Sequence, residues 1–565
     1  MVKQTPEEIA HANLAFGAYF AKTLSILGVE KIFFSPGSRS TPMVIGVKRY
    51  SDIDLIPVLD ERTAAFLALG QSKIKKQPVG LICTSGSALT HWFPAVTEAS
   101  YSGVPLLLFS ADRPPELQNC GAGQTIDQEN IFGNFVRQFH QLEVPQTNEK
   151  YRDNLVTVLK SAYQKSLGVN PGPVHINFPF REPLLSETAV DIDFNLTEFL
   201  TEPTGNIYPH SPTEISKIIS SSKKLLIIAG QYVEKSHLKQ LYSKGVPVIC
   251  DSLSSIRNTD EASLILRYEN LLRDQNFAQK AKPDSIIILG PLPTSKTLRK
   301  WIEKTSSQRI SIEPRGIKVD PLSGESIGCQ ISFEQLSEID IPPQEPGWLD
   351  YWQNAEERIN SKMIKAFSDE LTLFEGKLAF LLSLHLPDRS NLVIANSMPI
   401  RDIEWFWQKQ TSNHKLFGNR GVNGIDGTLG TAIGIAHESE NPSFLLTGDL
   451  AFLHDSNAML FAKQFKGSLT IFVINNDGGG IFEHLPISRE PEFEKCFATP
   501  QNFDLSKLCA TFEIKYSLEM SWSRIIEKIE KPIATGIEII EIPTNRKKDR
   551  EIRQKLLSLS PDTDA

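Results

Sequence analysis

Short runs of apolar residues recur along this chain, and each is followed by a stretch with helical character. In the first part of the chain the strand-like runs are "KIFFS", "VGLICTSGS" and "VPLLLFSADRP", and the helix-like run "ERTAAFLALGQSKI" follows the first of them. Strands that alternate with helices build βαβ units, whose strands lie parallel in one sheet. The alternation therefore predicts an α/β fold with mainly parallel sheets.

The same pattern returns in two further regions, so we predict three doubly wound domains. A chain of 565 residues is too long for a single core. The predicted domains span residues 1–190, 205–345 and 350–565. A polar stretch at 195–214 has the composition of a linker, and the last dozen residues have that of a frayed tail.

Composition argues against several classes of partner. The net charge is −8 and no Lys/Arg tract offsets it, which argues against binding to nucleic acid. No apolar run approaches the roughly 18 residues that a membrane-spanning helix needs. The N-terminus is polar and acidic, unlike a signal peptide. Six cysteines without a CxxC pair predict reduced thiols and a cytoplasmic location.

The strongest chemical signal lies in "LLTGDLAFLHDSNAMLFAKQFKGSLTIFVINNDGGGIF", residues 445–482. Two buried strands, joined by a helix, end in Asp449 and in Asn476, so both residues should meet at one sheet edge. A carboxylate, an amide oxygen and a backbone carbonyl from the glycine run suit Mg²⁺, and glycines let the backbone approach a phosphate. Taken singly, Asp449 could be a helix N-cap and the Asn-Asn-Asp-Gly segment a tight turn.

This GD…NN pattern resembles that of the thiamine-diphosphate enzymes, the superfamily of 2-oxoacid decarboxylases and acetohydroxyacid synthases. The resemblance implies pyrimidine-binding, central and diphosphate-binding domains in that order. It implies that Asp449, Asn476 and the Gly478 carbonyl hold Mg²⁺ or Mn²⁺ at the cofactor diphosphate. It also implies a glutamate that hydrogen-bonds the aminopyrimidine ring, and Glu61 in "PVLDERTAAFLALG" is the matching residue; read alone, Glu61 would be a first-turn helix residue.

Within that superfamily the chain is most similar to the 2-succinyl-5-enolpyruvyl-6-hydroxy-3-cyclohexene-1-carboxylate synthases of menaquinone and phylloquinone biosynthesis. The segments that carry the resemblance are "SPGSRSTP", "DERTAAFLALG", "CTSGSALTHWFPAVTEA", "SADRPPELQNCGAGQTIDQ", "NSMPIRD" and "GNRGVNGIDGTLGTA". The family decarboxylates 2-oxoglutarate on thiamine diphosphate and adds the resulting succinyl carbanion to isochorismate. The resemblance covers both outer regions and is weak in the central one.

Both substrates are dicarboxylates, which gives the arginines at predicted strand ends a role, because arginine binds carboxylates through two parallel hydrogen bonds. The resemblance implies a substrate site with Ser38, Arg39, Arg113, Lys296, Ser397, Arg401 and Arg420. It implies catalytic roles for Glu61, Gln124, Arg39, Arg401 and Arg420. Ile425 would support the bent cofactor, with Phe482 beside it.

Two other functions remain open from the sequence. One is a different thiamine enzyme, a decarboxylase or acetolactate-type synthase, although pyruvate has one carboxylate and needs fewer cations. The other is a non-catalytic dinucleotide-binding or regulatory protein, which the missing GxGxxG in "LIIAGQYVEKS" disfavours. The resemblance further implies a homodimer or homotetramer in which Glu61 and Asp449 meet across subunits.

Overall fold

The structure, a computed structural model, describes residues 4–186, 208–239 and 241–562. These residues form two compact units. The first comprises residues 4–186 together with 419–437 and 455–465. The second comprises residues 208–418, 438–454 and 466–562 without residue 240. Residues 195–207 of the predicted linker lie outside the described parts of the chain, and helix begins at Pro212 within its remainder.

Within the described residues, eighteen strands form three six-stranded sheets, each of them parallel throughout. The predicted α/β class with three doubly wound sheets is confirmed. The first sheet, in the first unit, has the order β2-β1-β3-β4-β6-β5. Its strands are β1 (Lys31–Phe34), β2 (Asp54–Pro57), β3 (Val79–Cys83), β4 (Leu106–Asp112), β5 (Phe139–Gln141) and β6 (Val174–Pro179).

The second unit holds the other two sheets. The central sheet has the order β12-β11-β10-β7-β8-β9. Its strands are β7 (Leu225–Ala229), β8 (Val248–Cys250), β9 (Leu264–Ile265), β10 (Ser285–Leu289), β11 (Gln308–Ile312) and β12 (Ile327–Cys329). The third sheet has the order β14-β13-β15-β16-β18-β17, the same arrangement as the first sheet. Its strands are β13 (Asn391–Ile394), β14 (Lys415–Phe417), β15 (Ser443–Gly448), β16 (Ser468–Asn475), β17 (Lys515–Leu518) and β18 (Gly536–Pro543).

Helices connect the parallel strands, as such connections require. Those of the first unit are α1 (Pro6–Ile26), α2 (Thr41–Tyr50), α3 (Glu61–Lys75), α4 (Phe93–Ser102), α5 (Glu149–Leu167) and α14 (Thr428–Ala436). Those of the second unit are α6 (Pro212–Ile219), α7 (Lys235–Leu238), α8 (Tyr268–Arg273), α9 (Gln275–Lys280), α10 (Lys296–Lys304), α11 (Trp348–Asp369), α12 (Glu375–His385), α13 (Met398–Phe406), α15 (Asp449–His454), α16 (Leu505–Thr511), α17 (Trp522–Glu530) and α18 (Arg546–Leu557).

One sheet falls in each of the three predicted regions, but the compact units do not follow those regions. The central and third sheets share one hydrophobic core, which includes Ile227 of β7 and Phe444 of β15. Helix α14, which follows the third region's first strands in the chain, belongs to the first unit. The division into domains at 1–190, 205–345 and 350–565 therefore stays a prediction.

The expectation of a frayed tail was wrong for its first part. Helix α18 continues to Leu557, and Leu556 and Leu557 are each only 4% exposed. Lys362 Nζ donates to the main-chain oxygen of Ser560 over 2.8 Å. The two leucines bury enough apolar area to hold this end of the chain against the second unit's core.

A search of residues 4–186, 208–239 and 241–562 finds no helix with both the length and the apolar character that crossing a membrane requires.

His175 of β6 is completely buried and gives the first unit a pH-dependent stability. Burial lowers the pKa of His175 from 6.5 to about 3, and its Nε2 lies 2.7 Å from Ser110 Oγ. Because the unfolded chain takes up this proton near pH 6.5 and the folded chain does not, stability is lost as the pH falls below 6.5.

Between pH 7 and pH 5 the buried His175 should cost the wild type about 2 kcal/mol of its free energy of unfolding, because each pH unit below 6.5 costs roughly 1.4 kcal/mol. We expect His175→Gln to lose that much less over the same pH range. Urea unfolding at the two pH values measures the difference. Equal losses in the two proteins would contradict the assignment to His175.

Candidate functional site

The two motif strands of the third sheet lie side by side, as their sequence predicts. Strand β15 pairs with β16 in parallel, and Gly448 is opposite Ile474. Asp449 begins α15 directly after β15, and its Oδ2 accepts a hydrogen bond of 2.8 Å from the backbone N–H of Gly478. Its Oδ1 accepts another from Leu450 N–H, also at 2.8 Å. The carboxylate thus spans the ends of both strands and does more than cap a helix.

Asn476 presents an oxygen that no described residue uses. Its Nδ2 donates to Glu375 Oε2 over 3.3 Å, whereas its buried Oδ1 has no hydrogen-bond partner. A buried polar atom without a partner is costly in a folded protein and calls for a ligand. Asn476 is only 8% exposed, so bulk water does not satisfy this atom freely.

The carboxylate of Asp449 lies in a buried, negatively charged environment. Burial, reinforced by the nearby charges of Asp477 and Glu375, raises the pKa of Asp449 to about 6 although two backbone N–H groups oppose the rise. A divalent cation would supply a compensating positive charge. One carboxylate oxygen, one amide oxygen and one main-chain carbonyl form an oxygen donor set of the kind that Mg²⁺ and Mn²⁺ accept, so these residues fit such an ion.

Gly478 adopts a backbone conformation that side chains disfavour. Its φ is +135°, and a Cβ atom added there would lie 2.3 Å from the main-chain oxygen of Ala498. Only glycine allows this turn to pass so close to its neighbour. The absence of a side chain brings the Gly478 carbonyl and N–H within reach of the strand ends.

A cavity of about 730 Å³ in the second unit contains three of the predicted site residues, Lys296, Arg401 and Phe482. The cations Arg273 and Arg553 also line it, together with His484 and the carboxylates of Glu269, Asp274 and Glu404. Burial and the neighbouring arginines lower the pKa of His484 to about 4, so this imidazole is neutral at physiological pH. A cavity of this size with several cations is suited to a small polyanionic ligand.

Ser397 and Arg401 form one structural unit at the start of α13. Ser397 precedes the helix with φ +75° and ψ −125°, a strained conformation for a residue with a side chain. Arg401 Nη1 donates to the Ser397 carbonyl over 2.5 Å. Such strain is found at binding sites that a rigid surrounding structure holds in place.

Glu61 begins α3 in the first unit, and Asp60 caps the helix. Asp60 Oδ1 accepts from Arg62 N–H at 2.9 Å. Glu61 is half-buried and lies near the end of β3, since its charge adds to the effect of burial in raising the pKa of the Cys83 thiol. The carboxylate therefore lies at the carboxyl edge of the first sheet, where ligands bind in folds of this type.

Arg39 and Arg113 lie close enough that the charge of Arg113, second to burial, lowers the pKa of Arg39. Arg39 is 4% exposed, and its Nη2 donates to Glu182 over 2.7 Å. Its Nη1 donates to the Phe180 carbonyl over 2.9 Å. The resemblance implies that Arg39 binds a substrate carboxylate, and in the structure the Glu182 carboxylate occupies one side of its guanidinium.

Ser38 and Gln124 are exposed, and Gln124 has a positive φ of +58°. Gln124 Nε2 donates to the Ser85 carbonyl over 3.0 Å, and Ser85 Oγ donates to the Gln124 carbonyl over 2.9 Å. These two bonds attach the Gln124 loop to the end of β3. Arg113 Nη2 donates to the Gly123 carbonyl over 3.3 Å, which places Arg113 beside the same loop.

Arg420 and Ile425 are half-buried in a loop of the first unit that the buried Glu98 holds. The two carboxylate oxygens of Glu98 accept from Gly421 N–H at 3.0 Å and from Val422 N–H at 2.9 Å. Lys73 lies 3.4 Å from Glu98. Sequence reasoning missed this role of Glu98, because a carboxylate inside a helix is usually exposed.

Glycines bring α3 and α14 into close contact within the first unit. A Cβ atom on Gly434 would lie 2.3 Å from the Leu67 carbonyl, and one on Gly70 would lie 2.3 Å from the Thr431 carbonyl. Helix α3 carries Glu61 at its start, and α14 follows the loop of Arg420 and Ile425. The contact fixes the separation of these two parts of the unit.

We expect Gly434→Ala to destabilise the chain by about 1–3 kcal/mol, because the backbones must separate to admit a methyl group. Thermal melting measures the change. Gly123→Ala is the matched control, since an added Cβ there meets nothing within 4 Å. Equal melting temperatures for the two variants would contradict the close-contact argument.

Four residues of the second unit were not predicted: the buried Glu375, Asp402 and Arg553, and the half-buried His484. Arg553 donates to Asp402 and Glu375, which are 151 and 178 positions away in the chain. No local pattern connects residues so far apart, and the composition of the C-terminal residues did not suggest a buried helix. A glutamate at a helix start is common because the helix dipole favours it, so Glu375 carries no signal of a buried role in the sequence.

In total the structure brings the predicted site residues together in two groups. The first unit holds Ser38, Arg39, Glu61, Arg113, Gln124, Arg420 and Ile425. The second unit holds Lys296, Ser397, Arg401, Asp449, Asn476, Gly478 and Phe482.

Comparison with known proteins gives matches at both ends of the chain. Residues 14–131 match the thiamine pyrophosphate enzyme N-terminal TPP-binding domain, and residues 404–542 match the C-terminal TPP-binding domain. A 2-succinyl-5-enolpyruvyl-6-hydroxy-3-cyclohexene-1-carboxylate synthase from Gloeothece citriformis is 40% identical over 96% of this chain and 97% of its own. The synthase of the same name from Trichormus variabilis is 39% identical over 98% of both chains.

A solved structure, the benzoylformate decarboxylase of Polynucleobacter necessarius, is similar with a TM-score of 0.70. It is 15% identical and covers 94% of this chain and 98% of its own. At this identity the likeness concerns the fold alone.

Proposed function

The chain belongs to the family of 2-succinyl-5-enolpyruvyl-6-hydroxy-3-cyclohexene-1-carboxylate synthases, which are thiamine pyrophosphate enzymes, and we infer that it catalyses their reaction. It decarboxylates 2-oxoglutarate and transfers the remaining succinyl unit to isochorismate with formation of a carbon–carbon bond. The observation that carries this conclusion is the 40% identity to a synthase of this name over 96% of the chain.

Thiamine diphosphate, when bound, supplies the carbanion chemistry that the side chains of a protein lack. We propose that Glu61 holds and moves the proton at the aminopyrimidine end of this cofactor. Its half-buried position at the first sheet's carboxyl edge supports that role, because partial burial favours hydrogen bonding to a ligand over hydration. Ile425, half-buried in the loop that Glu98 holds, is proposed to orient the cofactor, together with Phe482.

We propose that Asp449, Asn476 and the Gly478 carbonyl bind Mg²⁺ or Mn²⁺ at the cofactor's diphosphate. The unpartnered Asn476 Oδ1 and the raised pKa of Asp449 both support a cation there. The ion would offset the negative charge of the diphosphate. The glycines that follow Asp477 would allow the backbone to approach the diphosphate closely.

We propose that Arg39, Arg113, Lys296, Ser397, Arg401 and Arg420 bind the substrate carboxylates, with Ser38 and Gln124 at the same site. Lys296 and Arg401 line the same cavity, which supports this for a dianion. Arg39 would exchange Glu182 for a substrate carboxylate, which is an inexpensive exchange because the Glu182 side chain is 68% exposed. The cations then distinguish a dicarboxylate from pyruvate by unequal numbers of charge-assisted hydrogen bonds.

The test is carbon dioxide release from 2-oxoglutarate with thiamine diphosphate and Mg²⁺, in the presence and absence of isochorismate. We expect release that depends on the cofactor and increases with isochorismate. Turnover of pyruvate but not of 2-oxoglutarate would support the cofactor assignment and contradict the substrate assignment. The chain would then be an acetolactate-type enzyme. No release from any 2-oxoacid would reject the enzyme assignment.

We propose that the active form is a homodimer or homotetramer whose sites combine Glu61 of one subunit with Asp449 of another. Mixed Glu61→Gln and Asp449→Asn subunits should then recover about a quarter of wild-type activity, since half the dimers are mixed and each has one intact site. Activity assays of subunits mixed after mild dissociation test this. Recovery that stays at background would contradict the shared site.

We also propose a cytoplasmic location. All six cysteines are free thiols, and four of them are buried. Unpaired thiols of this kind are typical of a reducing compartment.

A further inference from the structure

A buried cluster of charged residues lies behind the proposed metal site in the second unit. Arg553 of α18, Glu375 of α12 and Asp402 of α13 are each no more than 3% exposed. Arg553 Nη2 donates to Glu375 Oε1 over 2.6 Å. The same guanidinium binds both oxygens of Asp402, with Nε at 2.8 Å and Nη2 at 2.9 Å. One arginine therefore joins three helices.

The other oxygen of Glu375 determines which way the Asn476 amide faces. A carboxylate has no hydrogen to donate, so Glu375 Oε2 can only accept from the amide nitrogen of Asn476. This bond measures 3.3 Å, and it turns Oδ1 to the opposite side, where no described residue binds it. The reversed amide would place two oxygens in contact, which is repulsive in a buried position.

Arg553 fixes Glu375 in the position from which it orients the Asn476 amide. A guanidinium is planar and presents its N–H groups in a rigid fork, so it can hold two carboxylates at a set angle. The remaining Nη1 lies 3.3 Å from His484 Nε2 and 3.5 Å from the Asp549 carbonyl. The guanidinium also lies over the Phe374 ring, with its central carbon 5.4 Å from the ring centre. Arg553 therefore has little freedom to move.

The same contact extends to the substrate side of the site. Asp402 directly follows Arg401 in α13, and the strained Ser397 precedes that helix. An arginine that fixes Asp402 also fixes the orientation of α13. One guanidinium thus sets two orientations. These are the orientation of α13, which carries Arg401, and the orientation of the Asn476 amide.

We propose that Glu375 and Arg553 are positioning residues, which turn the Asn476 carbonyl oxygen toward the metal ion by accepting its amide hydrogen. The inference rests on the proposed function, since it presupposes a metal ion at Asp449 and Asn476. An ordinary buried ion pair would instead contribute only to stability.

The test compares the Mg²⁺ concentration that half-saturates thiamine diphosphate binding, measured by calorimetry, in four forms of the full chain. These are the wild type, Glu375→Gln, Asn476→Asp and the double variant. Glutamine can donate as well as accept, so Glu375→Gln no longer selects the amide orientation. We expect it to raise the required Mg²⁺ about 10–100-fold, as losses of outer-shell partners do.

Asn476→Asp makes the orientation irrelevant, because both atoms of the new side chain are oxygens. No amide then remains to be turned, so Glu375→Gln should raise the Mg²⁺ requirement by a much smaller factor in the Asn476→Asp background than in the wild type, through the loss of its charge alone. A purely structural or electrostatic role for Glu375 would give the same fold-change in both backgrounds.

Two further variants complete the design. Arg553→Lys keeps the charge but loses the fork, and we expect it to raise the Mg²⁺ requirement in the same direction as Glu375→Gln. Asp320→Asn is the matched control, since Asp320 is a buried carboxylate paired with Arg309 at 3.3 Å in the central region. It should leave the Mg²⁺ requirement unchanged. Thermal melting establishes which variants are folded.

An unchanged Mg²⁺ requirement in folded Glu375→Gln or Arg553→Lys overturns the inference and leaves the proposed function standing. An equal fold-change of Glu375→Gln in the wild-type and Asn476→Asp backgrounds, or a shift of equal size in Asp320→Asn, overturns it as well. If the wild type itself shows no Mg²⁺-dependent binding of thiamine diphosphate, the proposed function fails and the inference fails with it.

Discussion

Replacing Glu61 by glutamine is expected to lower carbon dioxide release from 2-oxoglutarate by about 10²–10⁴-fold, the usual contribution of a positioned acid–base group. Glutamine keeps the size of the side chain and its ability to hydrogen-bond, but it cannot hold and return a proton at neutral pH. Cofactor affinity should change little, because Glu61 is one contact among many. The measurement is carbon dioxide release at saturating cofactor and Mg²⁺, alongside calorimetry of cofactor binding.

Asp60→Asn is the matched control for this experiment. Asp60 neighbours Glu61 and caps α3 through its bond to Arg62 N–H, and asparagine serves as an N-cap equally well. The control should retain nearly all activity. Glu61→Gln that keeps activity within a factor of ten of the wild type would refute the role of Glu61.

Replacing Asp449 by asparagine is expected to raise the Mg²⁺ concentration needed for cofactor binding by more than about 100-fold, since loss of a direct ligand should exceed the 10–100-fold effect of outer-shell residues. The substitution removes the only carboxylate of the proposed ligand set and leaves its shape intact. Cofactor binding titrated with Mg²⁺ by calorimetry gives the shift. At high Mg²⁺ part of the binding should return.

Asp477→Asn provides the comparison for Asp449→Asn. Asp477 is the nearest other carboxylate in the motif, half-buried, and its Oδ1 accepts from Asn502 N–H at 3.3 Å. Its replacement should change the Mg²⁺ requirement by less than about threefold, as expected for a charge outside the ligand set. If the two substitutions had equal effects, the ligand assignment would be wrong.

The parts of the structure that the sequence predicts are those that depend on local patterns. Apolar strands alternating with helices predict parallel sheets, and the glycines and polar residues after β15 and β16 predict a ligand edge. Asp449 and Asn476 could be placed together because a βαβ unit fixes the relation between its two strands. The structure confirms the sheet class and pairs β15 with β16, while the shared site of the two residues stays a prediction.

The residues that the sequence did not predict depend on contacts between distant segments. Glu98 binds Gly421 in the loop of Arg420, 323 positions away in the chain. Arg553 binds Glu375 and Asp402, which are 178 and 151 positions away. Long-range charge pairing has no periodic signature, and a lone arginine in a polar helix is usually solvated. The grouping of α14 with the first unit likewise depends on glycines whose packing partners the sequence does not reveal.

The proposed dependence of the proposed metal site on Arg553 has a consequence for how the enzyme is made. Asn476 and α13 leave the ribosome before α18 does, so during synthesis the amide has neither its fixed orientation nor the arginine that enforces it. A nascent chain that ends short of α18 would present Asp449 and Asn476 as loosely arranged oxygens with weak affinity for cations. Cofactor loading is therefore expected to follow translation, and the site matures only when this C-terminal helix docks.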